Sequence, residues 1–171
     1  EATGPGDVFE RLAKLEQETG RVLVHPFDDP FVVAGQGTVG LEILEDVPDV
    51  QTIVVPCGGG GLAAGIAVAA AHTDARIVAV EPETSHALYS AVEAGESVRV
   101  EARSIADGLN GPFAGEIALQ VFTALDVELV LVTEEEIEEG FRFLYERAKL
   151  ACEPAGAAAV GQILDVGDYG L

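Results

Sequence analysis

The sequence predicts an α/β domain of three layers, a mostly parallel sheet with helices on both faces. Three observations carry that prediction. Strand-like and helix-like stretches alternate along the 171 residues. The strand-like ones, such as Ile53-Val54-Val55 and Ile77-Val78-Ala79-Val80, are apolar end to end, the mark of strands buried on both faces. Between the first of them and the next helix stand Gly58, Gly59, Gly60 and Gly61. Each glycine in an ordered element is about 0.5–1 kcal/mol less favourable than alanine, so four together mark a close approach of the backbone. At the junction of a strand end and a helix start, free N–H groups and the helix dipole make an anion site. The expectation is a phosphate cradle.

In chain order, residues 7–19 place Val8, Leu12 and Leu15 at helical spacing, with Gly6-Asp7 as start signal and Gly20 as stop. Lys14 follows Glu10 by four residues and reads as a surface ion pair. Residues 21–25 read as a short strand. Pro26-Phe27-Asp28-Asp29-Pro30 is turn chemistry, with the aspartates as solvated turn formers. A helix is expected from about Thr38, as its cap, to Val47. Residues 52–57 are a buried strand and 62–72 a helix. Residues 76–82 form a second buried strand, and Thr84 to Ala94 a helix ended by Gly95.

Further on, residues 98–100 read as a small strand, Ser104 to Gly111 as a loop, Phe113 to Ala124 as a helix, and Val127 to Val132 as a strand. Thr133-Glu134-Glu135-Glu136 is a capping box for a helix reaching Leu150, with Ile137, Phe141, Leu144 and Ala148 on its buried face. The last helix starts at Cys152-Glu153-Pro154 and fades at Gly167. Ligands in such sheets bind outside the carboxyl ends of the strands. The four glycines, Glu81, the 104–111 loop and Glu153 then share one rim.

Charge narrows the partners. Thirty acidic residues face nine basic ones, a net charge of -21, which repels nucleic acid and anionic membranes. The longest apolar run, Leu62 to Ala71, is too short to cross a bilayer. Acids spread over the whole chain suit the cytoplasm of a halophilic cell, since at ~1 M salt the Debye length is about 3 Å. Cys57 and Cys152 form no disulfide framework, and His25, His72 and His86 are too scattered for a metal site. The start at Glu1-Ala2-Thr3 and the lack of methionine point to a fragment or processed piece.

Two readings of the glycine run follow. One is a dinucleotide fold, in which Gly59, Gly61 and Ala64 satisfy a degenerate fingerprint and Glu81, about 20 residues on, takes the ribose. The other accounts for more of the chain. Val55-Pro56-Cys57-Gly58-Gly59-Gly60-Gly61-Leu62 resembles the phosphate loop of pyridoxal-phosphate enzymes of the tryptophan-synthase-like fold, fold type II. His25-Pro26-Phe27-Asp28-Asp29-Pro30, Ala34-Gly35-Gln36-Gly37-Thr38, Ile105-Ala106-Asp107-Gly108 and Glu153-Pro154-Ala155-Gly156-Ala157 resemble, in order, the threonine dehydratase and serine racemase family.

That resemblance implies pyridoxal 5'-phosphate as cofactor and a small-molecule amino acid as substrate. Backbone amides of Gly58 to Gly61, with Leu62, would hold the phosphate. Gly108 would lie against the ring, and Glu153 would match the acid of the family's Glu-Pro turn. In metal-activated members a cation sits on groups matching Glu81, Ser85 and Ala87; Ala87 removes one ligand, so no metal is expected. The family's Schiff-base lysine, its asparagine loop and its Ser-Gly-Gly-Asn segment have no match here, and neither Lys14 nor Lys149 fits the first role. The resemblance implies a small-domain remnant and crossover in residues 1–30 and a large domain, truncated at both ends, in 31–171. It implies a homo-oligomer, with no catalytic residue in this chain. The parent reaction is dehydration of threonine or serine to a 2-oxo acid and ammonia, and without the lysine the chain alone is expected to be inactive. The alternatives are a remnant that binds phosphate-bearing ligands without chemistry and an oligomerising piece that completes its fold with another chain.

Overall fold

Three parallel strands, β1 (Thr52–Pro56), β2 (Arg76–Pro82) and β3 (Glu128–Val132), make a sheet of order β1-β2-β3 in a computed structural model that describes the backbone of residues 5–165. Val55 lies beside Ala79, and Val80 beside Val130. Side chains alternate across the pleat. Ile53, Val55, Cys57, Ile77 and Ala79 enter one core, while Val78, Val80 and Val132 enter another. Every residue of β2 after Arg76 is buried. A central strand with a core on each face has no room for polar alternation, which is why this stretch reads as continuously apolar. The three-layer parallel architecture expected from the sequence is the one observed.

The first core is closed by α3 (Gly61–Ala70), α4 (Ala87–Ala94) and α5 (Glu116–Leu125), through Ile66, Ala67, Leu88 and Phe122. The second is closed by α6 (Glu134–Phe143) and α7 (Pro154–Asp165), through Ile137, Ala155 and Ala158. Outside α3 lies α2 (Pro30–Asp46), and the two cross backbone to backbone: a Cβ on Gly37 would stand 2.8 Å from the Gly65 carbonyl oxygen.

The amino-terminal third departs most from the sequence reading. Helix α1 (Pro5–Thr19) is as expected and stops at Gly20, whose φ of 67° lets its N–H reach the Glu16 carbonyl. Lys14 pairs forward with Glu18 (3.7 Å) instead of back with Glu10. Residues 21–25 form no strand. No neighbouring strand takes up their backbone groups, and Val22 is 86% exposed. Helix α2 begins eight residues before Thr38. Asp29, in extended conformation, accepts from the N–H groups of Phe31 and Val32, and Pro30 occupies the first helical position. The Asp-Pro pair is a helix start, not a turn, and Thr38 lies inside the helix with its hydroxyl on the Gly35 carbonyl.

Elsewhere the shifts are smaller. Helix α4 starts at Ala87, three residues late, and Gly95 (φ 75°) ends it. Residues 98–100 are irregular, held by a bond from Val100 N–H to the Pro112 carbonyl. Helix α5 begins three residues later than expected and β3 one residue later. The capping box of α6 is present in both directions: Thr133 N–H donates to Glu136 Oε2 (2.6 Å), and Glu136 N–H to Thr133 Oγ1 (3.2 Å). Regular helix ends at Phe143, however, and a single π turn, Leu144–Ala148, follows it to Lys149 in the left-handed region. Ile137 is buried, Phe141 and Leu144 are half-buried, and Ala148 is exposed, so the expected stripe fades with the helix. Gly167 lies outside the described residues.

Candidate functional site

At the carboxyl end of β1 the chain turns sharply into α3. Cys57 makes the last sheet-like bond, N–H to the Val80 carbonyl (2.8 Å). Gly60 caps α3 with φ of 91°, a left-handed conformation that favours glycine, and no side chain caps this end. The first intrahelical bond runs from Ala64 N–H to the Gly60 carbonyl (2.9 Å), and no charged residue stands in the first turn. The opening N–H groups of a helix have no intrahelical partner. Here they sit on a cleft of about 390 Å³ lined by Gly58 to Gly61, Leu62 and Ala63. A positive dipole end, uncapped amides and an open cavity suit an anion.

The glycines answer first to the protein's own walls. A Cβ on Gly58 would stand 3.0 Å from the Leu109 Cα, on Gly60 2.5 Å from the Ala118 Cβ, and on Gly61 2.6 Å from Gln36 Oε1. On Gly59 it would collide with the Phe27 ring. That ring belongs to a cluster with Phe9, His25 and Phe113, with centroids 4.5 Å apart for His25–Phe27 and 5.7 Å for Phe27–Phe113. Two bonds lock the segment beneath. Asp28 Oδ1 accepts from Ile117 N–H (3.0 Å), and His25 Nδ1 accepts from Asp28 N–H (2.9 Å). Asp28 is thus an internal brace and not a solvated turn former. Gln36 donates Nε2–H to the Pro26 carbonyl (3.2 Å), while its Oε1 is buried against the loop without a partner.

The facing wall is the Asp107–Leu109 turn with Glu153 and Ala155 at the start of α7. A Cβ on Gly108 would meet the Ala155 Cβ at 3.0 Å and Glu153 Oε1 at 3.4 Å. Ser85 Oγ donates to the Leu109 carbonyl (3.0 Å). Asn110 closes the loop on Ser104 with a reciprocal pair, each bond 3.0 Å. Glu134 accepts from Thr84 Oγ1, Ser104 Oγ and Ile105 N–H. Burial works to raise its carboxyl, and these three hydrogen bonds prevail to hold it below the ordinary carboxylate range.

Glu81 stands apart from the cleft. It is fully buried and its two oxygens accept from the N–H groups of Leu88 (2.9 Å) and Tyr89 (2.7 Å), so it caps α4 from below. Burial pushes its carboxyl up to about 7, against the lowering effect of those amides. Burial, with the Glu81 charge, also pushes the Cys57 thiol up. Each Glu81 oxygen thus takes one amide N–H, and the side chain is buried away from the cleft lining. Among the described residues no group of three or more His, Cys, Asp or Glu could hold a metal ion. Neither lysine lines the cleft: Lys14 pairs with Glu18, and Lys149 donates to the Glu146 carbonyl (2.7 Å).

The structure therefore brings Gly58, Gly59, Gly60, Gly61, Leu62, Gly108 and Glu153 to one cleft and leaves Glu81 out. Sequence reasoning gave no role to Phe27, Gln36, Leu109 or Glu134. The signal for the first two was their place in the His25-Pro26-Phe27 and Gly35-Gln36-Gly37 motifs. For Glu134 it was a glutamate beyond the single one, Glu136, that the capping box requires. A phosphate fits this site, since the cradle offers uncapped amides and no side chain fills it.

A parallel sheet with an uncapped helix start opening on a cleft at its carboxyl rim places the chain among α/β domains with the geometry that suits an anionic ligand. More narrowly, the chain belongs to the pyridoxal-phosphate dependent enzyme family, whose sequence model matches residues 2–168. It is similar to L-threonine ammonia-lyase of Thermotoga maritima, 40% identical over 162 residues, with 93% of this chain and 40% of that protein covered. Among solved structures it is similar to threonine deaminase isoform 2 of Solanum lycopersicum (TM-score 0.82, 30% identity, 87% of this chain and 44% of that one). Maize serine racemase is also similar (TM-score 0.82, 35% identity, 94% and 50%). The chain thus spans well under two thirds of the length of these relatives. No described helix is long and apolar enough to cross a membrane.

Proposed function

We propose that this chain is the cofactor-phosphate part of an enzyme that dehydrates threonine or serine to a 2-oxo acid and ammonia. The observation that carries the reading is the uncapped start of α3 opening on the glycine-lined cleft, in a chain of this family. The amides of Gly58 to Gly61 and Leu62 bind the phosphate of pyridoxal 5'-phosphate through hydrogen bonds and the α3 dipole, with no lysine or arginine in the lining. Gly108 forms the wall against the ring. Glu153, exposed at the start of α7, supports that helix and faces the same space. When bound, the cofactor supplies a ring that takes up electron density as a bond at the amino acid's Cα breaks.

By itself the chain is inactive, because Lys14 and Lys149 are engaged away from the cleft lining. In this reading residues 1–30 are the remnant of a smaller domain with its crossover, and residues 31–171 belong to the cofactor-phosphate-binding domain. The working protein is a homo-oligomer of a halophile's cytoplasm. Titration with pyridoxal phosphate and with inorganic phosphate tests the phosphate site, with Leu62→Asp as control. An acid in the first turn favours the helix by about 0.3–1 kcal/mol and repels a bound anion. Binding of both ligands, lost in Leu62→Asp while the fold persists, is the expected result. A borohydride-stable adduct on either lysine contradicts the inactivity of the isolated chain.

A further inference from the structure

The wall that carries Gly108 is held from behind, and the holding group is one carboxylate. Glu134 is the first residue of α6, yet the capping box there is complete with Thr133 and Glu136. Its oxygens turn elsewhere. One accepts from Thr84 Oγ1, in the turn after β2; the other accepts from Ile105 N–H (2.9 Å) and Ser104 Oγ (3.3 Å). Ser104 Oγ in turn accepts from Ala106 N–H (3.0 Å). Ala106 is buried in the second core, and the Asp107–Leu109 turn begins at the next residue.

A chain of hydrogen bonds therefore runs from α6 through Ser104, Ile105 and Ala106 to the turn that carries Gly108. None of the three donors on Glu134 is a cation, so this is no surface ion pair. A glutamate that accepts three neutral donors from two other segments fixes those segments relative to its own helix.

We infer that Glu134 is a positioning residue of the cofactor cleft, holding Gly108 and Leu109 at the distance from Gly58 and Gly59 that a bound ring requires. The inference rests on the proposed reading of the cleft and assigns Glu134 no contact with the ligand. Leu109 is the point of transmission, since its backbone lies 3.0 Å from a Cβ position on Gly58. Releasing the 104–109 segment lets this wall drift while the start of α3 stays in place.

Two ligands separate the walls. Inorganic phosphate reports on the α3 start alone, and pyridoxal phosphate reports on both walls. In the full chain, Glu134→Ala weakens pyridoxal phosphate about tenfold, some 1.4 kcal/mol, and leaves inorganic phosphate within about twofold. Glu134→Gln retains binding, because the Thr84 hydroxyl can turn to accept from the amide while the amide oxygen serves Ile105. Amide exchange at Leu109 accelerates in Glu134→Ala. Should that variant fold poorly, Ser104→Ala removes one link, leaves α6 intact, and shifts the affinity ratio in the same direction by about threefold. Equal loss of both ligands, or of neither, overturns the inference, as does unchanged exchange at Leu109. An unmodified chain that binds neither ligand overturns the reading of the cleft, and the inference with it.

Discussion

Glu81 makes the stability of this protein depend on pH in a direction opposite to most carboxylates. Its side chain is fully buried between β2 and α4, and burial pushes it from an ordinary 4.5 to about 7. The unfolded chain therefore gives up this proton more readily than the folded one. Stability from this group is complete below pH 4.5, declines as pH rises from 4.5 to 7, and is level above. The window is 7 − 4.5, about 2.5 units, and each unit is worth 1.36 kcal/mol, so the loss amounts to about 3 kcal/mol. Against a typical 5–15 kcal/mol, that is a large share. Glu134, held low, acts in the other direction, and its stabilisation is lost only as pH falls below 4.5. The two windows do not overlap.

Urea unfolding at pH 5, 6, 7 and 8 measures the effect. About 1 M or more salt is needed, so that repulsion within a net charge of -21 is screened and does not imitate the slope. The expected result is a fall of about 2.5 kcal/mol between pH 5 and 8 in the unmodified chain, the first part of the loss having occurred below pH 5, and a flat profile in Glu81→Gln. The variant loses one amide acceptor, worth about 1–3 kcal/mol, so it is the weaker protein at pH 5 and draws level by pH 8. Parallel profiles refute the argument, because the slope then belongs to other groups.

Three further outcomes are expected. Gly60→Ala destabilises by about 2 kcal/mol or more with or without phosphate in urea melts, from left-handed strain and from the approach to Ala118. Asp29→Ala removes the cap of α2 and lowers stability by about 1 kcal/mol by the same measurement. An aromatic disulfide reagent titrates one thiol in the native protein, Cys152, while the buried Cys57 responds only on unfolding.

How much of this was legible in the sequence depended on whether a signal was local. The strands were plain because burial on two faces leaves mostly Val, Ile, Leu and Ala, and the α6 capping box was plain because its parts lie three residues apart. Residues 21–25 misled because Val22, Leu23 and Val24 announce a strand only if a partner lies beside them, and pairing is not local. Asp29-Pro30 misled because one dipeptide serves both a turn and a helix start, and the choice was settled by α2 packing on α3. Glu81 was placed at the rim by counting residues along a strand. Counting gives the position along the strand but not the direction of the carboxylate, and the free amides of α4 drew it inward.

The four glycines show why a motif can be recognised correctly for an incomplete reason. Their cost in backbone freedom implied that something approaches closely, and a ligand was the natural candidate. In the folded chain Leu109, Phe27, Ala118 and Gln36 already occupy the volumes where the four Cβ atoms would be. The glycines let these walls close around the loop, and the closed loop lines the cleft with no side chain capping the start of α3. Alanine substitution there overpacks the walls before it affects binding, so loss of ligand in a Gly59 or Gly60 variant says little about phosphate. Leu62 lies in the first turn and outside those four contacts. Leu62 is half-buried against the first core, but an added charge there opposes an anion without filling the space where the four glycine Cβ atoms would be, and so separates the two reasons that the glycines combine.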